Sequence, residues 1–367
     1  MNQLDMTLTL DGIGSDFGIV GLDGEEALFG DYAFDVIIAS PDHTLDLRPL
    51  LTMPATLTLR AETMPERHFS GVVLSATFLG DNPRNAFYNI RIVPAFSLLR
   101  MTRCSWVFTN KTVIDIVEEV LDRHGIADRS FLVAGSFPKF RHYTQNNCSS
   151  FQFVRRIMAD EGVYYFYRHG QRQHTMIVQD YGMPFESCGV TLNHAYTGTR
   201  RFRPDEIECC SLERRVVPSR LVTIPVNTNA ILRRPAVTDG RDPYDLRYEW
   251  AHGNATSADH LEALSDRRQA SFEASAHVMR ARSHCPLLCP GYSVRTTGAT
   301  RGDLNGDFVV KRIRHRIDRD GYSNEFVAFP IDCRYVPLMP TDELDIDDNH
   351  IAPFGELLAR KNNARDL

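Results

Sequence analysis

The sequence has no apolar run near the roughly 18 residues that a membrane-spanning helix requires, so it offers no bilayer span. Its start, MNQLDMTLTLDG, lacks the basic opening and apolar stretch of a secretory signal. That predicts a chain folded in the cytoplasm, which leaves the cell, if it does, by a route other than a cleaved leader. A basic surplus is missing too: 41 Lys and Arg face 47 Asp and Glu, for a formal charge of -6. A mildly acidic chain repels phosphate, so neither a nucleic-acid surface nor a polybasic membrane anchor is expected. Neither a Gly-x-Ser-x-Gly elbow nor a phosphate-cradling loop occurs. The eight cysteines are scattered, and 367 residues need no disulfide staples, so reduced thiols are predicted.

Four constellations come near to chemistry and fall short of it. Gly12-Ile13-Gly14-Ser15-Asp16-Phe17-Gly18 imitates a dinucleotide loop, but IVGLDGEEALFG follows without helical period, so a turn is the better reading. His284, Cys285 and Cys289 lack the second ligand pair of a closed zinc site, and read as residues buried where a helix ends. Asp345, Asp347, Asn349 and Glu356 fit a calcium-loop count, but His350 stands where the sharp turn wants glycine. The carboxylates Asp115, Glu118, Glu119, Asp160 and Glu161 read as ordinary helix-surface charge, and Arg155 and Arg156 as exposed ion pairs. No catalytic, cofactor-binding or metal residue is therefore assigned, and the chain is read as a non-enzyme.

What is present is strand. Ala33–Ser40, Pro54–Arg60, Phe69–Phe78 and Phe87–Pro94 alternate or run β-branched between turn signals, which predicts an antiparallel barrel or sandwich, with Gly71 marking a bulge. From Asn110 the period changes. Val113, Ile116, Val117, Val120 and Leu121 share a helix face behind a Thr112 cap, and Gly125 ends the helix. Ser150–Glu161 is a second helix, stopped by Gly162. Val163–Tyr167 and His174–Asp180 form a hairpin; half of Tyr164-Tyr165-Phe166-Tyr167 belongs to the core and half is free to face a partner. Strands return at Ile207–Val217 and Leu221–Pro225. A long, thinly apolar helix is expected over Ser257–Ser283, with Leu261, Leu264, Ala270, Ala274 and Val278 inward. Tyr292–Thr297, Phe308–Ile317 and Asn324–Phe329 close the pattern, and Asn305-Gly306 is the clearest hairpin signal.

The run FRHYTQNNCSSFQFVRRIMADEGVYYFYRHG, Phe140 to Gly170, resembles the VgrG family of type VI secretion spike proteins. The positions carrying the likeness are Arg141, Gln145, Phe153, Val154, Arg156, Asp160, Glu161, Gly162, Val163, Tyr165 and Phe166. Other stretches agree in order: Arg67 to Val73; Tyr88 to Leu99, followed by Phe108, Thr112, Val113 and Ile116; Leu288 to Tyr292; Val310 to His315; then Tyr322, Asn324 and Phe326. The resemblance spans about residues 5 to 340. It implies the hub of a contractile injection machine: a homotrimer presenting two barrels per chain to a hexameric tube protein on one side and a spike on the other. Baseplate proteins and effectors are further implied partners.

In the family an OB-like domain and a β-helical spike follow, whereas this sequence stops at Leu367. It is expected to be either a shortened piece or a hub whose spike is a separate chain. A phage-tail hub, a delivered enzyme, and an adaptor docking cargo through Thr341–Leu367 stay open as other readings. The fold expected is α+β and β-rich, with two tube-like β-barrel modules flanking a helix–helix–hairpin block. The division is 1–101 for the first barrel, 102–185 for the connecting block, 186–340 for the second barrel with a helical insertion at about 257–283, and 341–367 for a tail or linker.

Overall fold

The computed structural model describes residues 5–10, 17–61, 64–194, 203–226, 235–240, 246–318 and 321–337. Most of the Gly12–Gly18 run, most of the loop Asp239–Pro243, and the Thr341–Leu367 tail with its calcium-like count lie outside them. Among the described residues no helix is long and apolar enough to cross a membrane.

Six strands come first: β1 (Asp5–Leu10), β2 (Gly18–Ala27), β3 (Ala33–Ser40), β4 (Pro54–Ala61), β5 (Met64–Asp81) and β6 (Ala86–Val93). They pair antiparallel in the order β1-β4-β5-β6-β3-β2. The block follows: β7 (Arg103–Lys111), α1 (Val113–Arg123), β8 (Arg129–Leu132), β9 (Phe140–Ser149), α2 (Ser150–Asp160), β10 (Val163–His169) and β11 (His174–Asp180). The last part holds β12 (Glu186–His194), β13 (Glu206–Arg214), β14 (Arg220–Pro225), β15 (Ala236–Asp239), β16 (Arg247–His252), α3 (Ala258–Ala276), β17 (His277–Ser283), β18 (Tyr292–Thr297), β19 (Gly306–Asp318) and β20 (Gly321–Pro330). Here β20 pairs with both β17 and β19, which closes β19-β18-β12-β13-β17-β20 into a six-stranded barrel. One ladder, β2 on β19, fuses both sheets into twelve strands.

The helix reading holds. Thr112 and Asp115 form a reciprocal capping box, and the five apolar residues of the α1 face are fully buried. Gly125 and Gly162 take φ of +70° and +69°. Several expectations are corrected. The long helix ends at Ala276; His277–Ser283 is a barrel strand, its Met279 and Ala281 inward and Arg280 and Arg282 outward. α3 buries Arg267, Arg268 and Gln269 along with Leu261 and Leu264, so its apolar face is thin because its burial is polar. β12 runs parallel to both neighbours, against the antiparallel expectation. β14 lies outside the barrel, in a small sheet with β15 and β16 under α3. Asn305-Gly306 makes no two-residue turn; it ends a longer loop in which the Asn305 side chain binds both backbone groups of Ala299.

Gly71 stays in register with Ala55 and marks no bulge. Its small size serves close approach: a Cβ there would sit 2.5 Å from the Val93 carbonyl and 2.9 Å from the Tyr32 hydroxyl. Two cores result. A large one joins the first sheet to the block, and a separate one fills the closed barrel around Leu192, Met279, Val294 and Phe326.

Candidate functional site: the buried junction of the modules

The densest polar chemistry lies where the modules meet. Glu26 on β2 is 3% exposed. Arg67 on β5 donates to its Oε1 at 2.7 Å, His315 on β19 to the same oxygen at 2.8 Å, and His169 on β10 to Oε2 at 2.9 Å. One carboxylate thus gathers both sheets and the block. The proton positions follow from the neighbours. Asn324 Nδ2 donates to the Tyr322 hydroxyl at 3.1 Å, so that hydroxyl gives its own proton to His315 Nδ1 at 2.6 Å. That leaves His315 Nε2 as the donor to Glu26. Burial pushes the Glu26 pKa up, but Arg67, His169 and His315 outweigh it and hold the carboxyl well below its ordinary value. Burial lowers that of His315, against the pull of Glu26. The rings of Phe34 and Phe69 wall the cluster, with Arg67 4.6 Å above Phe69.

Two similar knots flank it. Asp31, just before β3, accepts from Ser97, Arg100, and the hydroxyls of Tyr165 and Tyr167. Burial, then the Asp31 charge, raises both phenols far above their usual value, so they stay protonated donors. Glu161, at the end of α2, accepts from His260 at 2.9 Å and Arg267 at 2.8 Å, both on α3. The helix-surface reading of Asp160 and Glu161 is therefore overturned: both are buried. Arg155 is corrected as well. It donates to the Phe29 carbonyl and lies over the Phe29 and Phe151 rings, while Arg156 is exposed.

Tyr164 to Tyr167 are all buried within the chain. Tyr165 and Tyr167 reach Asp31, Tyr164 stacks with Phe185, and Phe166 meets Tyr292. Gly291, with φ of +80°, lets this happen: a Cβ there would lie 2.5 Å from Phe166 Cγ. Residue by residue, the motifs that carried the resemblance converge here. Arg67, Glu161, His169, Gly291, His315, Tyr322 and Asn324 all belong to the quoted runs. Glu26, Asp31, Arg100, His260 and Arg267 lie outside those runs.

The family model that describes the phage tail baseplate hub (GPD) matches residues 25–321, from β2 to the start of β20. The chain belongs to this hub family. Among curated relatives, the type VI secretion system spike protein VgrG4b of Pseudomonas aeruginosa is 30% identical over 92% of this chain and 45% of its own length. The chain spans less than half the length of such curated relatives. Two solved structures share the hub fold: the Escherichia coli type VI component c3393, with TM-score 0.70 and 18% identity over 90% of this chain and 79% of that one, and a tail protein from Neisseria meningitidis MC58, with TM-score 0.67 and 15% identity over 91% and 98%.

Chemically, the hub junction is built to hold. Each Glu26 oxygen already accepts from a buried nitrogen donor, and no described group of three or more metal-ligating side chains could hold an ion. His284, Cys285 and Cys289 stand apart in role: His284 Nδ1 bonds the Tyr322 carbonyl, Cys285 packs in the barrel core, and the Cys289 thiol donates to the Leu287 carbonyl. A cleft of about 220 Å³, lined by Tyr164, Phe185, Arg334 and Tyr335 among others, is smaller than the ~300–1,000 Å³ of ligand pockets.

Proposed function

We propose that this chain is the structural hub of a contractile injection machine of the type VI secretion kind, an adaptor between a hexameric tube and a spike. Three copies, each with two β modules, would offer six similar faces to a sixfold tube while keeping threefold symmetry toward the spike. The observation that carries the reading is the fused sheet: the β2–β19 ladder and the Glu26 junction fix the modules in one orientation. An adaptor needs that rigidity, because a hinge between modules would blur the sixfold match. The working division is 1–101, 102–185 and 186–340, with 341–367 as a tail or linker.

The test is mass in solution together with co-purification. A threefold mass that binds a hexameric tube protein is expected. A strict monomer that ignores both tube and spike proteins overturns the reading. A second reading, a hub of a phage tail or phage-like particle, is favoured by the tail-baseplate family match. Binding a phage tail tube in preference to a secretion tube protein would select it.

A further inference from the structure

Strands β7 and β9 form a two-stranded sheet of their own, outside the twelve-stranded one. Their register sets Cys104 directly opposite Cys148. Opposed residues of an antiparallel pair project to the same face, with Cα atoms about 4.5–5.5 Å apart. A disulfide spans about 4.4–6.8 Å between Cα atoms. The neighbouring geometry fixes this pair. A bulge follows at once, where Ser105 Oγ accepts from the Asn147 N–H at 3.0 Å and Asn147 takes φ of +43°. Gln145 Nε2 donates to the Cys104 sulfur at 3.2 Å and to the Cys148 carbonyl at 2.9 Å, tying both strands together from beneath. The Ser150 hydroxyl lies 3.4 Å from the same sulfur.

Both cysteines are free and half-buried, within reach of a small reagent. The others differ. Cys209 and Cys210 face Arg282 and Ala281 across their ladder. Burial raises the Cys285 and Cys289 thiols to about 11 and about 12, so they ionise poorly.

We propose that Cys104 and Cys148 are a redox-modified pair that closes into a cross-strand disulfide on meeting a small-molecule disulfide such as oxidised glutathione. One cysteine loses its proton to solvent and attacks the reagent's S–S bond, expelling one thiolate and forming a mixed disulfide. The opposed cysteine, also deprotonated, attacks the protein sulfur of that bond and expels the second thiolate. The two protons return to the leaving thiolates, so the protein loses two hydrogens and the reagent becomes two thiols. The link closes the loop Ser105–Asn147, which carries α1 and β8. The chemistry rests on the ladder alone; on the hub reading, it would close when the chain passes from a reducing to an oxidising compartment.

The test incubates the native chain with oxidised glutathione, alkylates the remaining thiols, and maps peptides by mass spectrometry. Expected is a peptide pair joined through Cys104 and Cys148 in most molecules, with Cys285 and Cys289 alkylated, and a rise of several degrees in Tm. In C104S, Cys148 carries one glutathione instead, and in C148S Cys104 does. Recovery of both cysteines alkylated, or of each carrying its own glutathione in the unsubstituted chain, overturns the proposal.

Discussion

The two β modules are built on different plans. The first shares its main interior: Leu57, Phe69 and Ile92 lie in one core with Val117 of α1 and Tyr165 of β10, and only the small cluster of Ile37, Leu79 and Phe87 is its own. The closed barrel keeps a separate core, and joins the rest through the β2–β19 ladder, the outward residues of β19 and β20, and the Glu26 knot. Apolar packing is non-directional, so the shared core holds the first module to the block without setting a fine angle. Charged hydrogen bonds are directional and costly to break. The barrel, whose own core is separate, is therefore aimed by them.

That contrast can be broken hardest at its centre. Glu26→Gln keeps the shape and removes the charge, leaving Arg67 buried without a counter-ion. A loss of about 3–5 kcal/mol is expected, read by urea denaturation, with the barrel's transition separating from the rest. A loss under about 1 kcal/mol would show that the ladder alone does the coupling. Glu161→Gln removes the charge and turns one of the two oxygens that His260 and Arg267 use into a donor; it should cost about 3 kcal/mol, yet leave one transition, because what it loosens is the α2–α3 contact. If turnover of some substrate fell while stability held, the structural reading of Glu161 would be wrong.

Acid is a gentler probe. Burial lowers His315, and lowers His174 to about 3. Each binds its proton less readily folded than unfolded. Their stabilisation is therefore full above the unfolded value of about 6.5 and is lost as pH falls below it. The slope is up to ~1.4 kcal/mol per pH unit for each histidine. Glu26, held low, adds its loss at still lower pH, starting below its ordinary value of 4.5 and complete once its folded value is crossed. Denaturation midpoints at pH 7, 6 and 5 should fall in that order, and His315→Gln should flatten the trend. The smallest effect belongs to the edge of the block. Thr112→Ala removes one half of the α1 capping box and should cost about 1 kcal/mol, visible as a modest Tm decrease with no change in cooperativity.

Legibility followed locality. α1, α2 and the β10–β11 hairpin were readable because cap, period and stop lie within a dozen residues of one another. β3 and β18 were readable to the residue, for the same reason. β2 was not. GLDGEEA looks like loop because Asp23, Glu25 and Glu26 are charged, and their partners Arg314, Arg312, Arg67, His169 and His315 lie far along the chain. β17 was lost for another reason. Nothing in Ser275-Ala276-His277 announces a stop, although the alternation of Met279, Ala281 and Ser283 with Arg280 and Arg282 was there to be read. The junction itself was legible only in pieces: the motif runs contained most of its residues, but no spacing rule shows that they meet at one acid.

The β2–β19 ladder also has a history in time. Asp23 and Arg314 are 291 residues apart in sequence. At about 5–20 residues per second of synthesis, β2 waits roughly 15–60 s for the strand that will cover it. Through that interval the newborn first sheet carries a bare margin able to pair with a neighbouring nascent chain. The acidic residues Asp23, Glu25 and Glu26 on that margin would repel their copies on another ribosome until the arginines of β19 emerge.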